Sequence, residues 1–183
     1  MARNLSGIIS SMMTTVADIE LTDVAAALWD FARDFYALPD VSGALIELQD
    51  RAGLDVNLIL FALWHGLSGR GRLDAGKLAA ADQAVRTLRI ELIEPLRDLR
   101  RRLVTNLDAD IRRLRAAVKE VELCAEKASL ARLAACAGPL ITGSDPAECL
   151  GAAHGNFAFY LRSVQTSGAA GIIRQALQGF ACR

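Results

Sequence analysis

From Leu58 to Trp64 the chain reads LILFALW, an unbroken apolar run with Asp55 shortly before it and Gly66 shortly after. On a helix of about 3.6 residues per turn, such a run covers the whole circumference. A helix that is apolar on every side has to be enclosed. Lipid is not the enclosure, because a span needs about 20 apolar residues and this segment offers well under half that. The segment is therefore predicted to be a short central helix wrapped by other elements. Those elements are also helical, since the strong periodicities elsewhere are near 3.6 and no segment alternates with period two. Alanine and leucine are prominent while aromatics are only 5%, a mix that favours helix over strand. A chain of 183 residues can bury a core without disulfides or metal. The expected fold is all-α: a single-domain helical bundle of about seven or eight helices, with one short buried central helix and one long heptad-patterned helix. Residues 1–20 are expected to form a flexible N-terminal tail, and residues 21–183 the helical domain.

Start and stop signals place the helices. Thr22 or Asp23 caps the first, with Val24, Leu28, Phe31 and Phe35 at helical spacing. Pro39 ends it and opens a second, whose stripe is Val41, Leu45, Leu48 and Ala52; Gly53 is the natural left-handed stop. Asp55 caps the central helix. GLSGRGRLD is expected as a turn region, and Asp74 caps a fourth helix to about Thr87. Pro95 predicts a kink or a fresh start, with Leu92, Leu96, Leu99 and Leu103 beside it. Asn106 or Asp108 caps a long helix to about Cys136. Its apolar positions, Leu107, Ile111, Leu114, Val118, Val121, Ala125 and Ala128, step by four and three in turn, which reads as the inward seam of an antiparallel bundle helix. Asp145 and Pro146 open a helix to about Val164, and a last helix runs from about Ala169 to Phe180.

The net charge is zero, but its distribution is uneven. Residues 1–66 carry three arginines against nine acids, and residues 67–119 carry thirteen basic residues against seven acidic ones. Regions so close in sequence are expected to face each other within the fold. A dipolar surface for a partner is the other reading. The arginines Arg97, Arg100, Arg101, Arg102, Arg112, Arg113 and Arg115 read first as a solvated face and second as an anion-binding surface. Nucleic acid is disfavoured, because no aromatic interleaving or recognition motif accompanies them. The four cysteines have no metal-ligand spacing, no phosphate-loop or dinucleotide signature occurs, and no metal or cofactor is expected. A reduced, cytoplasmic setting fits the cysteine pattern. No run of 18 apolar residues exists, and the N-terminus falls short of a signal peptide.

Polar residues that helix capping does not explain gather in the corner Gln49-Asp50-Arg51-Ala52-Gly53-Leu54-Asp55-Val56-Asn57. Capping accounts for Asp55. Gln49 and Asn57 border apolar stripes, and a buried amide without a partner costs about 1–3 kcal/mol. One expectation is that the two amides satisfy each other and the free backbone groups at the helix ends, locking the hairpin. The other is that they floor a pocket, with Gln49, Asp50, Asn57 and His65 as its polar side and Arg97 and Arg100 as anion holders. His65 itself reads first as a helix-terminal histidine favoured by the dipole. Cys149, His154 and Asn156 suggest a thiol hydrolase on paper. Cys149 and His154 lie about 140° apart on a regular helix, which rules out their pairing there.

The front of the chain, LWDFARDFYALPDVSGALIELQDRAGLDVNLILFALW, resembles an uncharacterised family of small all-helical proteobacterial proteins. The shared positions are Trp29, Phe31, Phe35, Tyr36, Pro39, Val41, Leu48, Gln49, Asp50, Gly53, Asp55, Val56, Asn57, Leu58, Leu60, Phe61 and Trp64, and EPLRDLRRRL, VELCAEKA and NFAFYL are similar too. Ile59 stands where that pattern has leucine. The resemblance implies a helical bacterial protein and brings no catalytic residue with it. Two functional readings follow from the sequence. The first is a non-catalytic adaptor or regulatory module, with a protein partner or a homodimer formed through the heptad-patterned helix. The second is a small-ligand protein or enzyme with a polar pocket at the 49–65 hairpin, taking a small anionic ligand.

Overall fold

The computed structural model describes residues 22–162 and 168–181. The expected tail at 1–20 lies outside them. Helix α1 is Asp23–Tyr36, α2 Val41–Ala52, α3 Val56–His65, α4 Ala75–Leu88, α5 Glu94–Arg102, α6 Ala109–Ala135, α7 Pro146–Leu161 and α8 Ala169–Ala181. No strand occurs among the described residues. The wide π-turn Arg89–Ile93 joins α4 to α5 without leaving helical geometry, so residues 75–102 form one rod and the described residues form seven rods.

The start signals resolve to single residues. Thr22 Oγ1 accepts from Ala25 N at 3.3 Å, and Asp74 Oδ1 accepts from Lys77 N at 2.8 Å. Asp108 caps α6, and Asp145 forms a reciprocal capping box with Glu148 on α7. Gly53 ends α2 in the left-handed conformation at φ 64°, the stop that a residue without Cβ supplies at least cost.

Helix α3 is enclosed as its composition demands. Asn57 through His65 are all buried, and α3 packs against α1, α2, α6 and α7. The last helix closes the bundle by setting Phe180 edge-on to Phe31 and Phe35, at 5.4 and 5.8 Å between ring centroids.

Three local expectations are corrected. First, the helix does not stop at His65. Its backbone continues through the π-turn Gly66–Arg70 until Gly69 turns left-handed at φ 80°, so His65 lies inside a continuing rod rather than at a helix end. Second, of the kink or fresh start expected at Pro95, the fresh start does not occur, and the rod runs on through a widened turn. A proline ring lacks the N–H and crowds the carbonyl four residues back, and the widened turn immediately before it is the known way a helix absorbs this.

Third, the 107–128 seam is not the inward face of α6. Leu107, Leu114 and Val121 are exposed, and the buried residues are Glu122, Ser129, Leu130, Leu133 and Ala134. Only the C-terminal half of α6 enters the core. Residues 94–121 include no buried side chain at all, so α5 and the first half of α6 form an arm at the edge of the bundle.

Candidate functional site

The corner between α2 and α3 is a convergence point for the fold. Asp55 uses both carboxylate oxygens there. Oδ1 accepts from the backbone N–H groups of Asn57 at 2.8 Å and Leu58 at 3.4 Å, which caps α3. Oδ2 accepts from Arg89 Nη1 at 2.9 Å, and Arg89 is presented by the π-turn that Pro95 requires. The same Nη1 meets Asp82 at 2.8 Å. Burial alone would lower the Arg89 pKa, but the two carboxylates outweigh it and hold the guanidinium above its ordinary range. Asp55 N in turn donates to the Tyr160 hydroxyl of α7 at 3.1 Å. Burial pushes that phenol up to about 12, so it stays protonated at neutral pH.

Between this corner and the α4–α5 rod lies a cleft of about 320 Å3. Gln49, Asp50, Asp55, Asn57, Arg89, Glu94, Arg97, Asp98 and Arg101 supply its polar wall, and Leu54, Val56 and Ile93 its apolar one. Four of the residues expected at a site meet here: Gln49, Asp50, Asn57 and Arg97. The mutual amide lock does not form. Gln49 Nε2 donates to Asp50 Oδ1 at 3.4 Å. The Asn57 side chain, in a residue only 7% exposed, makes no hydrogen bond to any described residue.

His65 is elsewhere. It is 1% exposed, with Nδ1 3.1 Å from Gly71 O and Nε2 3.0 Å from Ala137 O. Burial pushes its pKa down, against the opposing pull of those two carbonyls. It lies between the 66–71 turn and the end of α6, and as a neutral imidazole it donates to one of the two carbonyls. The dipole account does not apply, because the rod runs on past it.

Arg97 and Arg100 are not free anion holders. Arg97 donates Nε to Glu122 Oε1 at 3.1 Å and Nη2 to Glu126 Oε1 at 2.7 Å. Arg100 donates to both oxygens of Glu122. Burial raises the Glu122 pKa, but the two arginines outweigh it and leave the carboxyl below its ordinary range. This ion-pair network is what attaches the arm to the bundle. The opposing charges of the front and middle of the chain do meet within the fold, through Asp55–Arg89 and Asp50–Arg101 at 2.9 and 3.0 Å.

The lock that the corner lacks is built by Asn156. It is 1% exposed and uses its amide three times: Oδ1 accepts from Leu73 N at 2.8 Å, and Nδ2 donates to Ala62 O at 3.2 Å and to Gly71 O at 3.1 Å. Its sequence signal is its place on the apolar Ala152–Ala153–Phe157 face of α7, where a polar side chain demands partners. Gly66 lets α7 approach this point, since a Cβ there would lie 2.2 Å from Ala153 N. Cys149 faces a second cleft, of about 430 Å3, beside Gly69 and Arg72. Asn156 is thus fully used by the lock and not available to a Cys-His-Asn set. No cluster of three metal-ligating side chains occurs among the described residues.

Fold and corner together define an all-helical bundle wrapped around one short apolar helix, with a polar cleft where that helix begins. The chain belongs to the family described as "Protein of unknown function (DUF2390)", whose model matches residues 27–133. That match spans α1 to α6 and contains every residue lining the first cleft. No curated protein and no solved structure matches the chain. No helix among the described residues is long and apolar enough to cross a membrane.

Proposed function

We propose that this protein binds a small polar ligand in the cleft between the α2–α3 corner and the α4–α5 rod, and does so without chemistry. The observation that carries this reading is Asn57: a carboxamide in the cleft wall, 7% exposed, with no intramolecular partner for its side chain. The amide is not a sealed, unpaired group, since the buried side-chain atom without a partner among the described residues is Ser129 Oγ; it opens on the cleft, where a ligand can pair with it. Binding rather than catalysis is supported by the neighbours, since Asp50, Asp55 and all three cleft arginines are engaged in ion pairs. A cytoplasmic setting is part of the proposal, and the free, half-buried thiols Cys124, Cys136 and Cys149 are consistent with it.

The test is a thermal-shift screen of small polar metabolites against wild type and Asn57→Leu. Compounds that raise the melting temperature of wild type and lose their effect on Asn57→Leu are expected. A variant that melts well below wild type before any ligand is added would mean that the amide is structural, and the proposal would fall.

One observation favours an adaptor role as a second reading. Leu107, Leu114 and Val121 lie seven residues apart and are 86%, 57% and 43% exposed, on an arm with no buried side chain. This is the heptad face through which a partner helix or a second copy would pair. Sedimentation of wild type and Leu114→Glu tests it: a concentration-dependent dimer that the variant abolishes supports the second copy.

A further inference from the structure

We infer that the cleft takes a small organic cation, with an ammonium or guanidinium head group held between the Glu94 and Asp98 carboxylates of α5 and the carboxamide of Asn57. This rests on the reading of the cleft as a ligand site and adds the class of ligand.

The argument comes from what is already spent and what is not. The cleft lining contains three arginines and four carboxylates. Arg89 is held by Asp55 and Asp82, Arg97 by Glu122 and Glu126, and Arg101 by Asp50 at 3.0 Å. The charge of each guanidinium is thereby offset by a carboxylate, although Arg89 pairs through Nη1 alone and Arg101 through Nη2 alone and their other N–H donors are not spent. Asp50 and Asp55 are likewise committed. The lining carboxylates in no ion pair among the described residues are Glu94 and Asp98, and beside them Gln49 Oε1 and the amide of Asn57 also have no hydrogen-bond partner there.

Glu94 and Asp98 stand four residues apart on one helix. Side chains at this spacing are neighbours, and like charges there repel and destabilise the helix by about 0.2–0.5 kcal/mol. Neither forms an ion pair with a basic side chain among the described residues. A cation between them removes that repulsion. The carboxylates alone would be an ordinary acidic surface pair. The independent observation is Asn57, a residue 7% exposed whose side chain has no partner among the described residues and whose Oδ1 is an acceptor suited to the N–H of the same head group.

The walls set the rest of the ligand. Leu54, Val56 and Ile93 offer an aliphatic surface, so the cation is organic, with a short alkyl part lying on them. The volume of about 320 Å3 suits a molecule at the small end of the ligand range. A bare divalent metal is disfavoured, since no three ligating side chains gather among the described residues. The head group could belong to a free metabolite or to a lysine or arginine side chain of a peptide; the chemistry of recognition is the same.

The experiment is a two-dimensional amide NMR titration of the full chain with matched probes: n-butylammonium, n-butylguanidinium, 1-butanol and butyrate. Blocked lysine and arginine amides are added as the peptidic form of the same cations. The expected result is that the cations shift the backbone amides of Leu54, Asn57, Ile93 and Asp98 while butanol and butyrate leave them in place. The double variant Glu94→Gln/Asp98→Asn, whose side chains are both exposed and therefore dispensable for folding, should weaken cation binding about tenfold. Tighter binding of the blocked amides than of the butyl probes would assign the head group to a peptide, and the reverse to a free metabolite. If butyrate or butanol shifts the cleft amides and the cations do not, the cationic class is wrong while the ligand site stands. If no probe shifts them, the site itself is refuted. Cation binding that the double variant leaves unchanged would also overturn the assignment.

Discussion

Two asparagines in this molecule are almost equally buried and live opposite lives. Asn156 sits where α7 crosses the 66–71 turn and uses its amide in three hydrogen bonds. Asn57 sits in the first turn of α3, and its side chain has no partner among the described residues. A buried amide is costly unless it is paired, so burial alone does not say what a polar residue is for. Asn156 ties three backbone segments together and marks a structural joint. Asn57 has no such partner among the described residues and lines the cleft, which is why the proposed ligand site rests on it.

The comparison can be broken most forcefully at the joint. Replacing Asn156 by Leu strands the Leu73 N–H, while Ala62 O keeps Gly66 N and Gly71 O keeps its contact with His65 Nδ1, and is expected to cost about 2–3 kcal/mol in chemical denaturation. A loss below about 1 kcal/mol would mean that these hydrogen bonds contribute little net.

Next comes the back of the cleft. Glu122→Ala leaves Arg97 and Arg100 without their shared carboxylate, and a loss of about 3 kcal/mol is expected. Arg97 would then be partly freed. The same variant should allow butyrate into a cleft that excludes it in wild type, which NMR can read directly.

Acid titration sharpens the contrast at His65. Its folded pKa lies below the ordinary value of 6.5, so the unfolded chain binds the proton first as pH falls. Stability from this group is complete above the unfolded pKa and declines as pH drops from there through the folded value. Melting temperature is expected to fall more steeply between pH 6.5 and 5 in wild type than in His65→Gln. Parallel curves would show that burial of the imidazole does not set the acid limb.

The smallest expected effect is at Asn57. Asn57→Leu removes an unpaired amide and leaves no orphan behind, so the ligand-free protein should be unchanged or gain up to about 1 kcal/mol. Set against Asn156→Leu, the difference in sign is the measurable form of the comparison.

Much of this architecture was legible in the chain. Asp55 and Gly53 define a tight corner because a carboxylate before a helix and a glycine after one satisfy backbone groups locally. LILFALW has to be enclosed wherever it folds. The corner could likewise be recognised as a polar site, and Gln49, Asp50 and Asn57 do meet in one cleft with Arg97. The signals that misled were those whose meaning depends on a distant partner. The seam from Leu107 to Ala128 has an inward-facing period, yet α6 turns Glu122, Ser129 and Leu133 to the core instead. Glu122 pairs there with Arg97 and Arg100 of α5, and Leu114 and Val121 stay exposed. Arg97 and Arg100 looked like free cations because nothing near them in the sequence shows that carboxylates about a helix-length away would claim them.

What the sequence determined by itself is therefore whatever is decided within a few residues: the caps, the helical periods, the left-handed stop, and the need to surround one short apolar helix. The tertiary structure decided which buried polar groups find partners. Asn156 meets Ala62, Gly71 and Leu73 across more than eighty residues of chain, whereas the Asn57 side chain meets no partner among the described residues. Pairing of that kind depends on how whole rods are set against one another, which no local pattern encodes.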